Sequence, residues 1–550
     1  MKKYSTLLIV VIAILVVAVL SWILPVTYLN GELVEAERTQ AGIMSILSYS
    51  SFTFYNFIYA FLYLMGIGGL YGLLNKTGAY RNMLDKIANH IKKREIIWLI
   101  ITVMLVSIVC SFTGFTFEML ILLPFIAGVI LLLGYDKITA AMVTIGSISV
   151  GIIGTTFSKL VAGTFNGMLN TTYNDLVIVK VVLLVLCAAV LVFNVILYAR
   201  KVEKNKNTNE DFLIPEKVKG NDVKVWPLVV ILSVFVLLLI VGTVDWHGAF
   251  GIEFFSKLHT KFLEKHVLSK FIVATISFLV ILYNVIISII NKKKKSKNNV
   301  KFMTTKRMIV TICFGVVFLL AFAKIMLESV FNATDIINRG LELIKVDGLI
   351  DKFTFAKLLG NYNELGSWSY NDYFPLMIIL ALVIKYAYRI KFSDALDSIG
   401  DGFKKVLFAS IVVLLGYTVL IITSSHPVIL TALKPLLTMT DGLSIIWYPI
   451  CTFVSALCNT DFTYYQYGVL NLSYATSYFT SSSIYPLCGL ITQSMYGLAL
   501  LVAPTSSVLL YSLGLLEIRY TTWLKKMWIS ILGFAVLSFI SYVIVLHVMV

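Results

Sequence analysis

Charge is what this sequence has least of. Only 13% of its 550 residues are Asp, Glu, Lys or Arg, about half of the roughly 25% in an average soluble domain. Apolar residues make up 59% and the mean hydropathy is +0.90. So little charge cannot coat a water-soluble particle of this size. That excludes a cytosolic enzyme, a disordered chain and a secreted scaffold, and leaves a polytopic membrane protein. Cysteine is scarce too. All six sit in or beside apolar runs without a CxxC spacing, which argues against disulfides and cysteine metal clusters. Enzyme signatures are missing: there is no HExxH, no Walker A loop and no GxSxG elbow. No soluble stretch is long enough to be an ATPase.

What is present is a series of apolar runs. A helix needs about 20 apolar residues to cross a bilayer. Nine stretches qualify clearly: 5–24, 52–75, 176–199, 225–244, 268–290, 308–326, 371–389, 405–424 and 527–549. The first follows Lys2 and Lys3 but is long for a signal peptide. It lacks a small-residue cleavage site and reads as a retained helix. The stretch 327–370 is amphipathic and is expected to lie on the outer surface.

The net charge of +16 would suggest a nucleic-acid partner if it were spread over one surface. It is not. Stretches 76–96, 200–224, 291–307, 385–405 and 517–526, with Lys2 and Lys3, hold 31 basic and 11 acidic residues. That is +20, so the remainder carries about −4. Alternating crossings put all of these stretches on one side. The positive-inside rule makes that side the cytoplasm, with the N-terminus inside and the C-terminus outside. Lys292–Lys295 is most simply an orientation signal that touches anionic lipid. All eight Trp lie near segment ends, as an interfacial belt requires.

Two regions, 97–170 and 441–513, are apolar but interrupted. In 97–133 two apolar runs flank Ser111-Phe112-Thr113-Gly114-Phe115-Thr116-Phe117-Glu118. This is either two crossings with an outer tip or a re-entrant hairpin. Stretch 138–170 then breaks at Gly154-Thr155-Thr156-Phe157-Ser158-Lys159. The second region repeats the pattern. Residues 441–458 lead to the polar tip Asn459-Thr460-Asp461-Phe462-Thr463, the chain returns through 466–490, and 493–513 breaks at Ala503-Pro504-Thr505-Ser506-Ser507. Three crossings separate the two halves, and an odd number inverts one against the other. The expected organisation is an all-α membrane protein with a first repeat over 1–200, linking helices over 201–370 and a second repeat over 371–550. Each repeat holds a hairpin (97–133, 441–490) and a broken helix (138–170, 493–513). Inverted repeats with paired interrupted helices point to a secondary transporter and to its site.

Several short motifs occur in a fixed order: Trp22-Ile23-Leu24-Pro25, Gly66-Ile67-Gly68-Gly69, Asn75-Lys76-Thr77-Gly78-Ala79, Gly134-Tyr135-Asp136, the segment 155–163, Pro504-Thr505, and Tyr520 with Trp523 and Lys525. In these the chain resembles the C4-dicarboxylate anaerobic carrier and arginine/ornithine antiporter-like family of the ion transporter superfamily, over most of 1–200 and 371–550. The resemblance implies a scaffold and a mobile transport domain, elevator-type alternating access, and often a homodimer. Family members usually carry Asn-Pro where Ser158-Lys159 stands, paired Glu where Phe117 precedes Glu118, and Gly-Asp-Gly where Ser494-Met495-Tyr496-Gly497 stands. Residues 250–340 look like an inserted helix pair. These departures bear on the substrate and the coupling ion.

Glu118 and Asp461 are each either a coupling carboxylate, binding Na+ or H+, or a solvated loop residue. Intramembrane carboxylates are costly and usually functional. Lys159 either attracts a substrate carboxylate or replaces a coupling sodium; otherwise it snorkels or pairs with Glu118. Hydroxyl and backbone oxygens come from Ser111, Thr113, Gly154, Thr155, Thr156, Ser158, Asn459, Pro504, Thr505, Ser506 and Ser507, unless these only pack helices. His426, before Pro427 at a helix end, is expected at the surface. No cofactor or metal centre is expected. The leading expectation is an amino-acid antiporter, arginine against ornithine, in which the acidic tips suit a cationic side chain. The alternatives are a C4-dicarboxylate carrier and a non-transporting membrane assembly protein.

Overall fold

The structure, a computed structural model, describes residues 4–24, 26–29, 32–35, 40–202, 211–217, 223–244, 267–294, 309–319, 368, 370–439, 443–458, 461–462, 465 and 484–549. The chain divides into two compact units, Met1–Asp245 with Ser369–Val550, and Trp246–Trp368.

The first unit opens with α1 (Tyr4–Ile23) and an antiparallel pair, β1 (Val26–Leu29) and β2 (Glu32–Glu35), with Val26 opposite Glu35. This ribbon departs from the all-α expectation. Its strands flank Asn30-Gly31, the dipeptide favoured by two-residue hairpin turns. Then come α2 (Ile43–Lys76), α3 (Ala79–Ile91), α4 (Glu95–Thr113), a 3₁₀ turn (Glu118–Leu122), α5 (Leu123–Leu132), α6 (Lys137–Ile153), a π turn (Lys159–Gly163), α7 (Thr164–Leu169), α8 (Val177–Lys201) and α9 (Trp226–Thr243). In the second unit, α10 (Val267–Lys294) and α11 (Ile309–Leu319) carry Phe278 and Phe318, whose rings lie 5.7 Å apart. The expected outer helix over 327–370, and most of the inserted pair over 250–340, fall outside the described residues. The first unit resumes with α12 (Tyr370–Ala387), α13 (Phe392–Ser425), α14 (Val428–Thr438), α15 (Trp447–Cys458), α16 (Tyr485–Ala499), α17 (Ser507–Leu516) and α18 (Tyr520–Met549).

Among the described residues seven helices are long and apolar enough to cross a membrane. Six coincide with predicted crossings. The seventh is α4, whose apolar core 97–110 looked short for a crossing. Ser111, Phe112 and Thr113 continue the helix instead of opening the tip, and it ends at Gly114, which takes a left-handed φ of 75°.

Helices from the two halves of the chain pack on one another: α2 on α13, α6 on α16, and α8 on α18. The tightest crossing is α2 on α13. A Cβ on Gly402 would lie 2.0 Å from the Gly68 carbonyl oxygen, and one on Gly72 2.1 Å from that of Ser398. The two backbones touch there, and only glycine fits. Nearby, Phe57 stacks on Tyr417 at 4.2 Å.

The Gly134-Tyr135-Asp136 turn sets the start of α6. Gly134 takes φ 90°. Asp136 caps the helix, accepting from the Thr139 N–H at 2.9 Å and the Tyr198 hydroxyl at 2.6 Å. Tyr135 donates to Glu95 at 3.1 Å. Burial, helped by the Glu95 carboxylate, pushes its phenol up to about 12, so it remains a donor at neutral pH.

Candidate functional site

The first hairpin tip comprises residues 114–117. Gly114 is obligatory: besides its positive φ, a Cβ there would lie 2.9 Å from that of Ser158. Thr113, in the last turn of α4, donates to the Val109 carbonyl at 2.7 Å and accepts from the Phe115 N–H at 3.2 Å. Glu118 opens the 3₁₀ turn and is 3% exposed. Its carboxylate accepts from the Thr116 N–H at 3.0 Å, and its carbonyl from the Tyr63 hydroxyl at 2.7 Å.

The first break is bonded directly to α4. The Ser111 hydroxyl donates to the Gly154 carbonyl at 2.8 Å. The Ser111 carbonyl accepts from the Thr155 hydroxyl and from the Thr156 N–H, each at 3.0 Å. Ser158 shares a 2.8 Å hydrogen bond with Thr155 and accepts from the Ala162 N–H, starting the next half-helix. Gly154 lies against α8, where a Cβ would sit 2.5 Å from that of Leu184. Gly154, Thr155, Thr156 and Ser158 are all buried, so unwound backbone here is enclosed by protein, as membrane depth would demand. Lys159, next in sequence, is exposed. It forms no ion pair with Glu118, which is buried.

The second break runs from Leu500 to Ser506. The expected boundary between a return leg at 466–490 and a broken helix at 493–513 is not there, since α16 is continuous from Tyr485 to Ala499. Gln493 and Ser494 do not interrupt it; Ser494 returns its hydroxyl to the Leu490 carbonyl at 2.6 Å. Thr505 donates to the Leu457 carbonyl at 2.7 Å. Ser506 caps α17 by accepting from the Leu509 N–H at 3.3 Å. The arrangement matches the first break: a threonine hydroxyl to a carbonyl near the end of the hairpin helix, then a serine cap. Pro504 is half-buried, and Thr505, Ser506 and Ser507 are buried.

The second tip is only partly described. Asn459 lies outside the described residues, as does most of the return leg. Asp461 is half-buried, and its carbonyl accepts from the Tyr465 N–H at 3.0 Å. The Phe462 ring lies 5.3 Å from Phe165 of α7 and 5.1 Å from Tyr496 of α16. Gly114 of the first tip lies against Ser158 of the first break. The two tips therefore converge on the two breaks.

Gln493 escaped the sequence reading, and Tyr520, Trp523 and His426 take other places than it gave them. Gln493, 1% exposed, donates to the Thr155 carbonyl at 3.2 Å and joins the two broken helices. An amide inside an apolar run was the available signal, because burying it unbonded is costly. Tyr520 and Trp523 hold carbonyls of the second break. Trp523 donates to Leu501 at 2.9 Å and Tyr520 to Val502. Trp523 is fully buried, so it is no member of an interfacial belt. His426 is also buried, against expectation, because Tyr49 of α2 covers it with a 2.9 Å hydrogen bond to Nε2. Among the described residues no three His, Cys, Asp or Glu side chains gather as a metal site. The oxygens on offer are hydroxyls, unwound carbonyls and the two carboxylates.

A family model described as C4-dicarboxylate anaerobic carrier (DcuC) matches residues 4–354, nearly two thirds of the chain. No curated protein and no solved structure matches it. The match favours the carboxylate alternative and lends nothing to amino-acid antiport.

Proposed function

The chain belongs to the C4-dicarboxylate anaerobic carrier family, a family of transporters, and is a multi-pass membrane protein; on that footing we propose that it carries C4-dicarboxylates across the cytoplasmic membrane by secondary active transport. The observation that carries the site is the matched pair of breaks, Thr155 bonded to Ser111 and Thr505 to Leu457. The packing of α2 on α13, α6 on α16 and α8 on α18, with a matched break in each half, supports reading 1–200 and 371–550 as inverted repeats around that site. Half-helix starts at Ser158 and Ser506 supply N–H groups suited to carboxylates. The hydroxyls of Ser111, Thr155, Thr156, Thr505 and Ser507 supply orientation.

Glu118 and Asp461 would repel a dianion. They fit a carrier only if each takes up a cation, which makes them the coupling groups for H+ or Na+. The basic stretches orient the chain with its N-terminus inside. Elevator-type movement, in a homodimer, is the mode of access that the family resemblance implies.

Reconstitution tests the reading. Liposomes carrying the protein, loaded with unlabelled fumarate, should take up labelled succinate, and external fumarate should chase it out. Exchange of arginine and ornithine in place of succinate would overturn the proposal.

A further inference from the structure

Lys180 is a buried charge outside the tips and the breaks. It lies in the first turn of α8 and is 6% exposed. Its neighbours Ile178, Val181 and Val182 are exposed apolar residues, 76%, 43% and 51%. That is the face α8 would show to lipid. Lys180 is on the opposite, buried stripe with Leu184, Cys187, Leu191 and Asn194. Its side chain is packed against protein and not against the exposed face.

The stripe can be placed by its glycine contacts. Leu191 lies against Gly146, where a Cβ would be 2.7 Å from its Cδ1, and Leu184 lies against Gly154. Lys180 is the next position along, roughly 6 Å beyond Leu184 at 1.5 Å per residue. The α8 backbone at Lys180 therefore lies about one turn beyond the level at which Leu184 meets Gly154, the residue where α6 ends.

The Lys180 ammonium makes no hydrogen bond or ion pair among the described residues. Asp175 is the charge that acts on it, but the Asp175 carboxylate accepts the Thr172 N–H at 2.6 Å. A lysine buried to this degree without a direct protein partner is costly, and proteins rarely keep one unless it is used.

We propose that Lys180 neutralises one carboxylate of the substrate at the first break, and so makes the site select dicarboxylates over monocarboxylates. This rests on the dicarboxylate reading above. The cation assigned is the buried Lys180 and not the exposed Lys159.

The test uses the full-length protein in liposomes and two probes, succinate and its monoamide, which has the same backbone and one charge fewer. Lys180→Met should raise the KM for succinate about 10- to 100-fold, the worth of one hydrogen bond to a charged group. It should leave the maximal rate within a few-fold and abolish the preference for succinate over the monoamide. Lys180→Arg should keep both properties. Thermal unfolding of Lys180→Met should match or exceed wild type, because an unpaired buried charge has gone. A Lys180→Met protein that retains the succinate KM and the preference overturns the assignment. So does one that melts lower while KM is unchanged, which marks a structural lysine. If the wild type exchanges no dicarboxylate, the underlying reading falls first. If the wild type exchanges succinate and Lys180→Met does so equally well, only this assignment falls.

Discussion

The Gln493 amide donates to the Thr155 carbonyl at 3.2 Å, joining the second broken helix to the break in the first across 338 residues. Both groups are buried. Removing the donor leaves a desolvated carbonyl, a cost of about 1–3 kcal/mol. Gln493→Leu should therefore lower the thermal unfolding midpoint in detergent and slow succinate exchange. An unchanged midpoint would show that the amide does not hold the two breaks together.

The α2–α13 crossing yields a pair of opposite signs. Gly72→Ala would place a methyl 2.1 Å from the Ser398 carbonyl oxygen, with backbone on the far side that cannot yield. Forcing the helices apart should cost about 1–3 kcal/mol. Gly400 lies in the same α13, but a Cβ there meets nothing within 4 Å. Gly400→Ala should stabilise by roughly 0.5–1 kcal/mol, through helix propensity alone. Thermal unfolding of the two variants side by side decides it; equal midpoints would remove the crossing from the account.

The crossings and the first break were legible because membrane depth leaves few options. A long apolar run must be helical, and an unwound stretch at Gly154–Ser158 must be covered. The partners that do the covering were not legible. Gln493, Tyr520 and Trp523 lie hundreds of residues from the first break or one helix past the second, and no local pattern links them to either. The α4 boundary was misplaced because Ser111 and Thr113 read as loop residues. In place, Thr113 returns its hydroxyl to Val109 and costs the helix little. His426 read as a surface residue because its cover, Tyr49, comes from a helix 377 positions earlier.

Glu118, 3% exposed, and the half-buried Asp461 are the carboxylates of the two tips. If they carry the coupling cation, Glu118→Gln should uncouple transport while sparing exchange. Net uptake of succinate driven by a proton or sodium gradient should fall about tenfold or more, the effect of losing roughly 1.4 kcal/mol of coupling. Counterflow at equal ion concentrations should continue near the wild-type rate. Equal loss of both activities would assign Glu118 to substrate binding or to folding.

Segment 211–217, between α8 and α9, is bound like a strap. Leu213, Ile214 and Pro215 are buried. Asn75 donates to the Phe212 carbonyl at 3.0 Å, and a Cβ on Gly128 would be 2.8 Å from the Leu213 carbonyl oxygen. Arg81, 7% exposed, does most of the holding. One Nη donates to the Pro215 carbonyl at 2.9 Å, and Nε to Asp85 at 3.2 Å. Lys217 also reaches Asp85, at 3.0 Å, but its side chain is 62% exposed. The two contacts with Asp85 should therefore differ in worth. Arg81→Ala leaves a buried carbonyl without its donor and should cost about 1–3 kcal/mol. Lys217→Ala removes a solvated ion pair worth at most about 1 kcal/mol. Arg81→Lys should resemble Arg81→Ala, because a single ammonium cannot reach both acceptors with a guanidinium's fixed fork. Hydrogen exchange at the Leu213 and Ile214 amides, which bond to the Asp211 carboxylate at 2.8 and 3.2 Å, reports directly on the strap. Exchange should quicken in both Arg81 variants and stay near wild type in Lys217→Ala; the reverse order would place the anchor at Lys217.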